Sequence, residues 1–281
     1  MKTVAILGMG LMGGSLGLAL RRRGLARVQG YARRAQTRQA ALDLGAVDKV
    51  FETPGRALRG AEIAVICTPV LTIPEMVHEC RNSFEKGAVV TDVGSTKAEL
   101  MNRLAPIVAG MNVAFVGSHP MAGSEKSGIE ASRSDLYEGA VTVVTPGGAA
   151  ESAVTCVRAL WEGVGSRVLC LAPEEHDALV ARTSHLPHLV ASLLVTTAYS
   201  GSDAFRTLCG PGFRDTTRIA AGSPEMWHDI VRSNRKEILQ ALRRYQGELG
   251  ELTAAIEGGD FEAVREQLEK GRRLRESLIF S

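Results

Sequence analysis

Residues 2–20, KTVAILGMGLMGGSLGLAL, decide how the rest of the chain is read. Val4, Ala5, Ile6 and Leu7 form a short apolar run suited to a strand buried on both faces. Gly8, Gly10 and Gly13 follow in G-x-G-x-x-G spacing, and an apolar stretch with Leu16, Leu18, Ala19 and Leu20 comes next. In that order they mark a strand–turn–helix of the kind that cradles a dinucleotide. Gly8 permits the tight turn, Gly10 lets backbone N–H groups approach a pyrophosphate, and Gly13 lets helix and strand pack closely. Leu11 and Met12 open the helix, where unpaired N–H groups and the helix dipole favour negative charge. Gly-rich turns are common, so the position after a buried strand carries this reading more than the motif itself.

Composition narrows the field. A chain of 281 residues allows one large or two medium domains, and 45% hydrophobic residues suffice for a sizeable core. A net charge of +2 argues against a protein built for nucleic acid or an anionic membrane. Cys67, Cys80, Cys156, Cys170 and Cys209 are odd in number and widely spaced, which suggests reduced, mostly buried thiols rather than a disulfide frame or a metal site. The arginines of the N-terminal segment follow its apolar part, the reverse of a signal peptide, and no apolar run reaches about 18 residues. The expectation is a soluble, cytoplasmic protein.

Strands are expected at 28–32, 47–51, 61–67, 88–92, 114–117, 140–145 and 168–170, alternating with helices. This predicts an α/β Rossmann-type, doubly wound, mostly parallel sheet over residues 1–171. After Pro173 strand signals all but vanish. Helices are expected at 174–184, 186–197, 225–256 and 261–278, giving an all-α domain over 172–281. Helices so long and apolar suit a dimer.

The tip of the second strand bears on the cofactor. A carboxylate there normally binds the ribose 2′-hydroxyl of NAD, but this chain has Ala32, Arg33 and Arg34. Two guanidiniums suit a 2′-phosphate, so NADP is preferred over NAD, the alternative being solvated loop arginines. Cys67, Thr68 and Pro69 end the fourth strand and should border the same cofactor. Ser95 and His119 stand at two further strand tips, and a hydride transfer from a carbinol carbon needs a base for the hydroxyl proton. Alone, a His before Pro in a Gly-Ser loop would more often be structural. Residues 210–218, with Arg214, Asp215 and Arg218, suit recognition of a small di-anion or serve as a helix connector. His185 and His188, three apart, share a helix face, but no third ligand supports a metal.

GMGLMGGS at 8–15, CTPV at 67–70, TDVGSTK at 91–97, GSHPMAGSEKSG at 117–128, SHLPH at 184–188, GFRDTTRIA at 212–220 and PEMW at 224–227 together resemble the prephenate/arogenate dehydrogenase family of tyrosine biosynthesis. The resemblance covers nearly the whole chain. It implies that His119 takes the C4 hydroxyl proton of a cyclohexadienol as hydride leaves for the nicotinamide, with loss of the ring carboxylate as CO₂. It further implies that Ser95 holds that hydroxyl and helps orient His119, and that Arg218 binds a substrate carboxylate. His185, His188 and Trp227 would line the substrate site. Asp215 would orient Arg214 or Arg218, and Glu125 with Lys126 would gate the cleft. The substrate would be prephenate or arogenate, and any inhibition by tyrosine would act by competition at the active site, since the chain stops at Ser281 without room for an appended regulatory domain. The arginines at 33 and 34 depart from NAD-using members. A β-hydroxyacid-type dehydrogenase is the rival enzyme, but residues 174–200 lack its catalytic lysine. A non-catalytic NADPH-sensing dimer would not need His119 and Ser95 at the nicotinamide rim.

Overall fold

The computed structural model describes residues 1–123 and 126–278. The chain divides into two compact units, Met1–Arg235 and Lys236–Ser281.

The first unit begins with strand β1 (Lys2–Leu7) and helix α1 (Leu11–Arg22), then β2 (Ala26–Tyr31), α2 (Ala35–Asp43), β3 (Lys49–Phe51), α3 (Pro54–Leu58) and β4 (Ile63–Ile66). It continues through α4 (Ile73–Glu79), β5 (Ala88–Asp92), α5 (Ala98–Val108) and β6 (Val113–Phe115). These six strands form one parallel sheet in the order β3-β2-β1-β4-β5-β6. Alternate residues of β1 serve opposite faces. Val4 and Ile6 join one hydrophobic cluster, while Ala5 and Leu7 join the other. That is the pattern of a parallel strand covered by helices on both sides. The strand order reverses between β1 and β4, which opens a crevice at their C-terminal ends.

The expected single sheet is in fact two. After Phe115 the chain leaves the first sheet, and β7 (Gly117–Pro120) starts a second with β8 (Val141–Thr145). Helix α6 (Glu151–Gly163) and strand β9 (Arg167–Cys170) follow. β7 and β8 are antiparallel, β8 and β9 parallel. Gly117 permits the switch, because a Cβ there would meet the Thr145 hydroxyl at 2.3 Å.

Helix α7 (Pro173–Val180) runs through one π-helical turn, Ala181–His185, into α8 (Leu186–Ala198). By length and average composition alone Pro173–Ala198 could cross a bilayer, although Glu174, Glu175, Asp177 and Arg182 interrupt its apolar residues. Yet it carries His176, Asp177, His185 and His188, all buried inside the unit. Short helices α9 (Asp203–Leu208) and α10 (Pro211–Thr217) lead to α11 (Pro224–Ser233). The cysteines are free as expected, but only Cys80 is fully buried and Cys170 is exposed.

The second unit is a helical hairpin of α12 (Arg235–Glu257) and α13 (Phe261–Ser277). Gln267 donates to the Glu248 carbonyl at 3.3 Å and Lys270 pairs with Glu248 at 3.7 Å. Leu249, Ile256, Phe261, Leu268 and Leu274 are exposed.

Candidate active site

The cofactor cleft is built from the two strand tips that flank the reversal. Gly8 has φ of +114°, and a Cβ on it would meet the Cys67 carbonyl at 2.6 Å. A Cβ on Gly13 would lie 2.0 Å from the Gly8 carbonyl, so α1 can pack here only on glycine. At Gly10 the added atom would meet nothing, and α1 has no capping side chain and no acid in its first turn. Backbone N–H groups at that end are therefore free for a pyrophosphate. Beside Gly8, the Thr68 hydroxyl is buried without a hydrogen-bond partner among the described residues, a cost unless a ligand satisfies it. These features fit a nicotinamide dinucleotide. Burial pushes the Cys67 thiol pKa up, which keeps it an unreactive wall.

At the end of β2, Ala32 is buried while Arg33 and Arg34 are exposed. Arg34 sits at the N-cap of α2, whose first turn has no acid. One nitrogen of Arg38 donates to the Ala32 carbonyl at 3.0 Å and to the Arg33 carbonyl at 2.8 Å. The turn that presents the two arginines is thereby pinned from below.

His119, on β7, is 8% exposed and lies across from Val143 of β8. Its Nδ1 is 2.9 Å from Nε2 of His176, whose own Nδ1 is 2.8 Å from Oδ1 of Asp177. Asp177 also takes the Lys97 N–H on Oδ1 at 2.8 Å and the Ala98 N–H on Oδ2 at 2.9 Å, capping α5. Asn234 donates to the Asp177 carbonyl at 2.9 Å and lies 3.3 Å from Nδ1 of His185. Ser95, in the loop between β5 and α5, has no hydrogen-bond partner among the described residues, so it is His176 that holds His119. Desolvation lowers the His119 pKa well below the ordinary histidine value, and the neighbouring His176, Lys97 and His185 lower it further.

Beneath this cluster lies a fully buried ion pair, Lys97 Nζ to Asp92 Oδ2 at 2.5 Å. Asp92 also accepts the Gly94 and Ser118 N–H groups, at 2.7 and 3.0 Å. The Ser118 hydroxyl donates to the Asp92 carbonyl, and Trp161 donates to that hydroxyl. Asp92 thus ties β5 to the residue preceding His119. Burial pushes the Lys97 pKa down against the pull of Asp92.

His185 and His188 are buried around Trp227. His188 stacks on the indole at 3.6 Å and 9°, and His185 meets it edge-on at 6.0 Å. Burial is the largest cause lowering the His185 pKa to about 4, with Asp177 opposing it. His188 is likewise lowered by burial, against a hydrogen bond with the Ile219 backbone, and its buried Nδ1 has no partner among the described residues. Arg214, Asp215 and Arg218 are exposed, and Asp215 pairs with neither arginine among the described residues. Glu125 lies outside the described residues. His176, Asp177 and Asn234 lie outside every motif quoted above. The signal available was a His-Asp pair in an apolar helical stretch, at positions whose environment no local pattern reveals.

A glycine turn at the reversal point, an unsatisfied hydroxyl beside it and a buried neutral histidine at a strand end define a nicotinamide-dependent oxidoreductase. Residues 16–170 match the family model for the nucleotide-binding domain of prephenate dehydrogenase, and residues 172–270 match that for its dimerization domain. The prephenate dehydrogenase of Bacillus subtilis (strain 168) is 33% identical over 98% of this chain and 76% of its own length. Among solved structures, prephenate dehydrogenase from A. aeolicus, in complex with hydroxyphenyl propionate and NAD+, has a TM-score of 0.90 at 34% identity, covering 98% of each chain. Synechocystis arogenate dehydrogenase has a TM-score of 0.84 at 28% identity, covering 99% of this chain and 100% of its own. The chain belongs to the prephenate dehydrogenase family. The matching dimerization domain supports a homodimer.

Proposed function

We propose that the protein catalyses the NADP-dependent oxidative decarboxylation of prephenate or arogenate, with His119 as the base. The observation that carries this is the buried His119 imidazole, which its surroundings keep neutral at neutral pH. The nicotinamide, when bound, supplies the hydride acceptor. His119 takes the proton of the C4 hydroxyl as that carbon is oxidised, and Ser95, whose hydroxyl has no partner among the described residues, holds the same oxygen. Loss of the ring carboxylate as CO₂ restores aromaticity and makes the reaction one-way. The hydroxyphenyl propionate of the A. aeolicus structure has the phenol and carboxylate of such a product.

In this reading residues 1–171 bind the dinucleotide, and residues 172–281 supply the substrate contacts and the dimer face. The exposed Leu249, Ile256, Phe261, Leu268 and Leu274 suit a second subunit. Arg33 and Arg34 take the 2′-phosphate of NADP. His188, with an unpaired Nδ1 against Trp227, favours the keto side chain of prephenate. Tyrosine, which keeps the ring and carboxylate, competes at the same site. A cytoplasmic setting suits the five free cysteines.

Initial rates of nicotinamide reduction with each pairing of prephenate or arogenate and NAD⁺ or NADP⁺ test the proposal. The expected result is turnover with NADP⁺ well above NAD⁺. Folded protein silent in every pairing would overturn it in favour of a cofactor sensor. Arg218→Ala is expected to raise KM for the substrate roughly tenfold with kcat little changed, as for loss of one charge-assisted hydrogen bond at an exposed site. Unchanged KM would place the carboxylate contact elsewhere.

A further inference from the structure

We propose that Asp177, acting through His176, fixes the tautomer of His119, holding its proton on Nδ1 so that Nε2 is the atom that takes the substrate proton. The inference rests on the reading of His119 as the base and deepens it. Both Asp177 oxygens already accept backbone N–H groups, from Lys97 and Ala98, so the carboxylate stands as an acceptor toward its remaining neighbour.

That neighbour is Nδ1 of His176 at 2.8 Å, which must therefore carry hydrogen. A bare Nδ1 would set two acceptors against each other where neither ring nor carboxylate meets water, since both residues are at most 1% exposed. A neutral imidazole with hydrogen on Nδ1 has only a lone pair on Nε2. This lone pair lies 2.9 Å from Nδ1 of His119, so it is His119 that donates. The remaining nitrogen, Nε2 of His119, is then unprotonated and has no partner among the described residues. A chain of single-proton choices thus runs from the capped end of α5 to the reacting atom.

The elements that carry the relay are locked. Asn234 holds the Asp177 carbonyl, and Thr96 donates to Ser233 at 2.8 Å one residue before Asn234. His176 and Asp177 are adjacent on α7, so the His119 side meets a pre-set acceptor rather than one that must reorient during turnover. By this account His176 and Asp177 are positioning residues, because neither touches the reacting atoms.

The test is nitrogen-15 NMR of histidine-labelled, substrate-free protein, with the His119 signals assigned from the His119→Asn spectrum. The expected wild-type pattern is hydrogen on Nδ1 and a bare Nε2. Asp177→Asn, which presents an amide N–H where the carboxylate accepted, should shift His119 toward the opposite tautomer. It should also lower kcat roughly 10²–10⁴-fold, the range seen when a catalytic histidine loses its orienting carboxylate, with KM little changed. Because Asp177 also caps α5, His176→Leu serves as the second variant. It leaves the cap intact and should lose kcat to a similar degree while NADP⁺ binding is retained. Hydrogen on Nε2 of His119 in the wild type, or full kcat in both variants, would overturn the relay. A correct wild-type tautomer alongside an active His119→Asn enzyme would instead remove the base assignment and leave the relay standing.

Discussion

Replacing His119 with Asn is expected to lower kcat by roughly 10²–10⁴-fold, the usual contribution of a positioned general base, while leaving NADP⁺ affinity nearly unchanged. Asparagine keeps a polar group of similar reach but cannot take a proton, so the substitution separates proton transfer from packing. An unchanged rate would sink the base assignment. The same residue sets the acid limb of the rate. Since burial first, and the nearby Lys97 with it, hold the His119 pKa well below 6.5, kcat/KM should stay level as pH falls through 6.5 and decline only at lower pH. Stability follows the same sign. His119 and His185 are buried neutral, whereas the unfolded chain takes up their protons, so their contribution is complete above about pH 6.5. It is lost as pH falls toward the His185 value of about 4.

Local pattern and tertiary context can be separated residue by residue. The strand–glycine–helix unit at the start was legible because every requirement is local: a four-residue apolar run, a turn, a close helix. Residues 114–120 were not. They read as one strand ending in a loop, but the chain changes sheets there, and position 117 must be glycine because the side chain of Thr145, far along the chain, lies where a Cβ would go. The helix expected over 225–256 breaks at Asn234, with φ −118° and ψ 31°, where the side chain reaches Asp177 and His185. Apolar spacing cannot show such a break, because the periodicity continues on either side. His119, Ser95 and Trp227 stand in motifs that local sequence displays. His176 and Asp177 carry no local signal, because their meaning depends on lying behind His119, across 57 positions of sequence.

Cofactor choice should yield to the double substitution Arg33→Ala, Arg34→Ala. A charge-assisted hydrogen bond contributes about 1.5–3 kcal/mol, which for two arginines would approach a 10⁴-fold effect if both were desolvated. Both are exposed, however, and exposed charges are screened, so the lower end applies. The expected result is a roughly 10–100-fold weaker Kd for NADP⁺ with NAD⁺ nearly unaffected, since NAD⁺ has no 2′-phosphate to lose a partner. Raising salt should weaken NADP⁺ binding to the wild type and leave the double variant less sensitive. The turn itself should survive, because Arg38 holds the Ala32 and Arg33 carbonyls and both bonds are to backbone that the substitutions retain. Equal losses for the two cofactors would mean that the arginines support the turn instead of reading the phosphate. A second substitution, Arg38→Met, keeps the stem but removes those two bonds. It should cost NADP⁺ affinity by letting the turn move, with Arg33 and Arg34 still present.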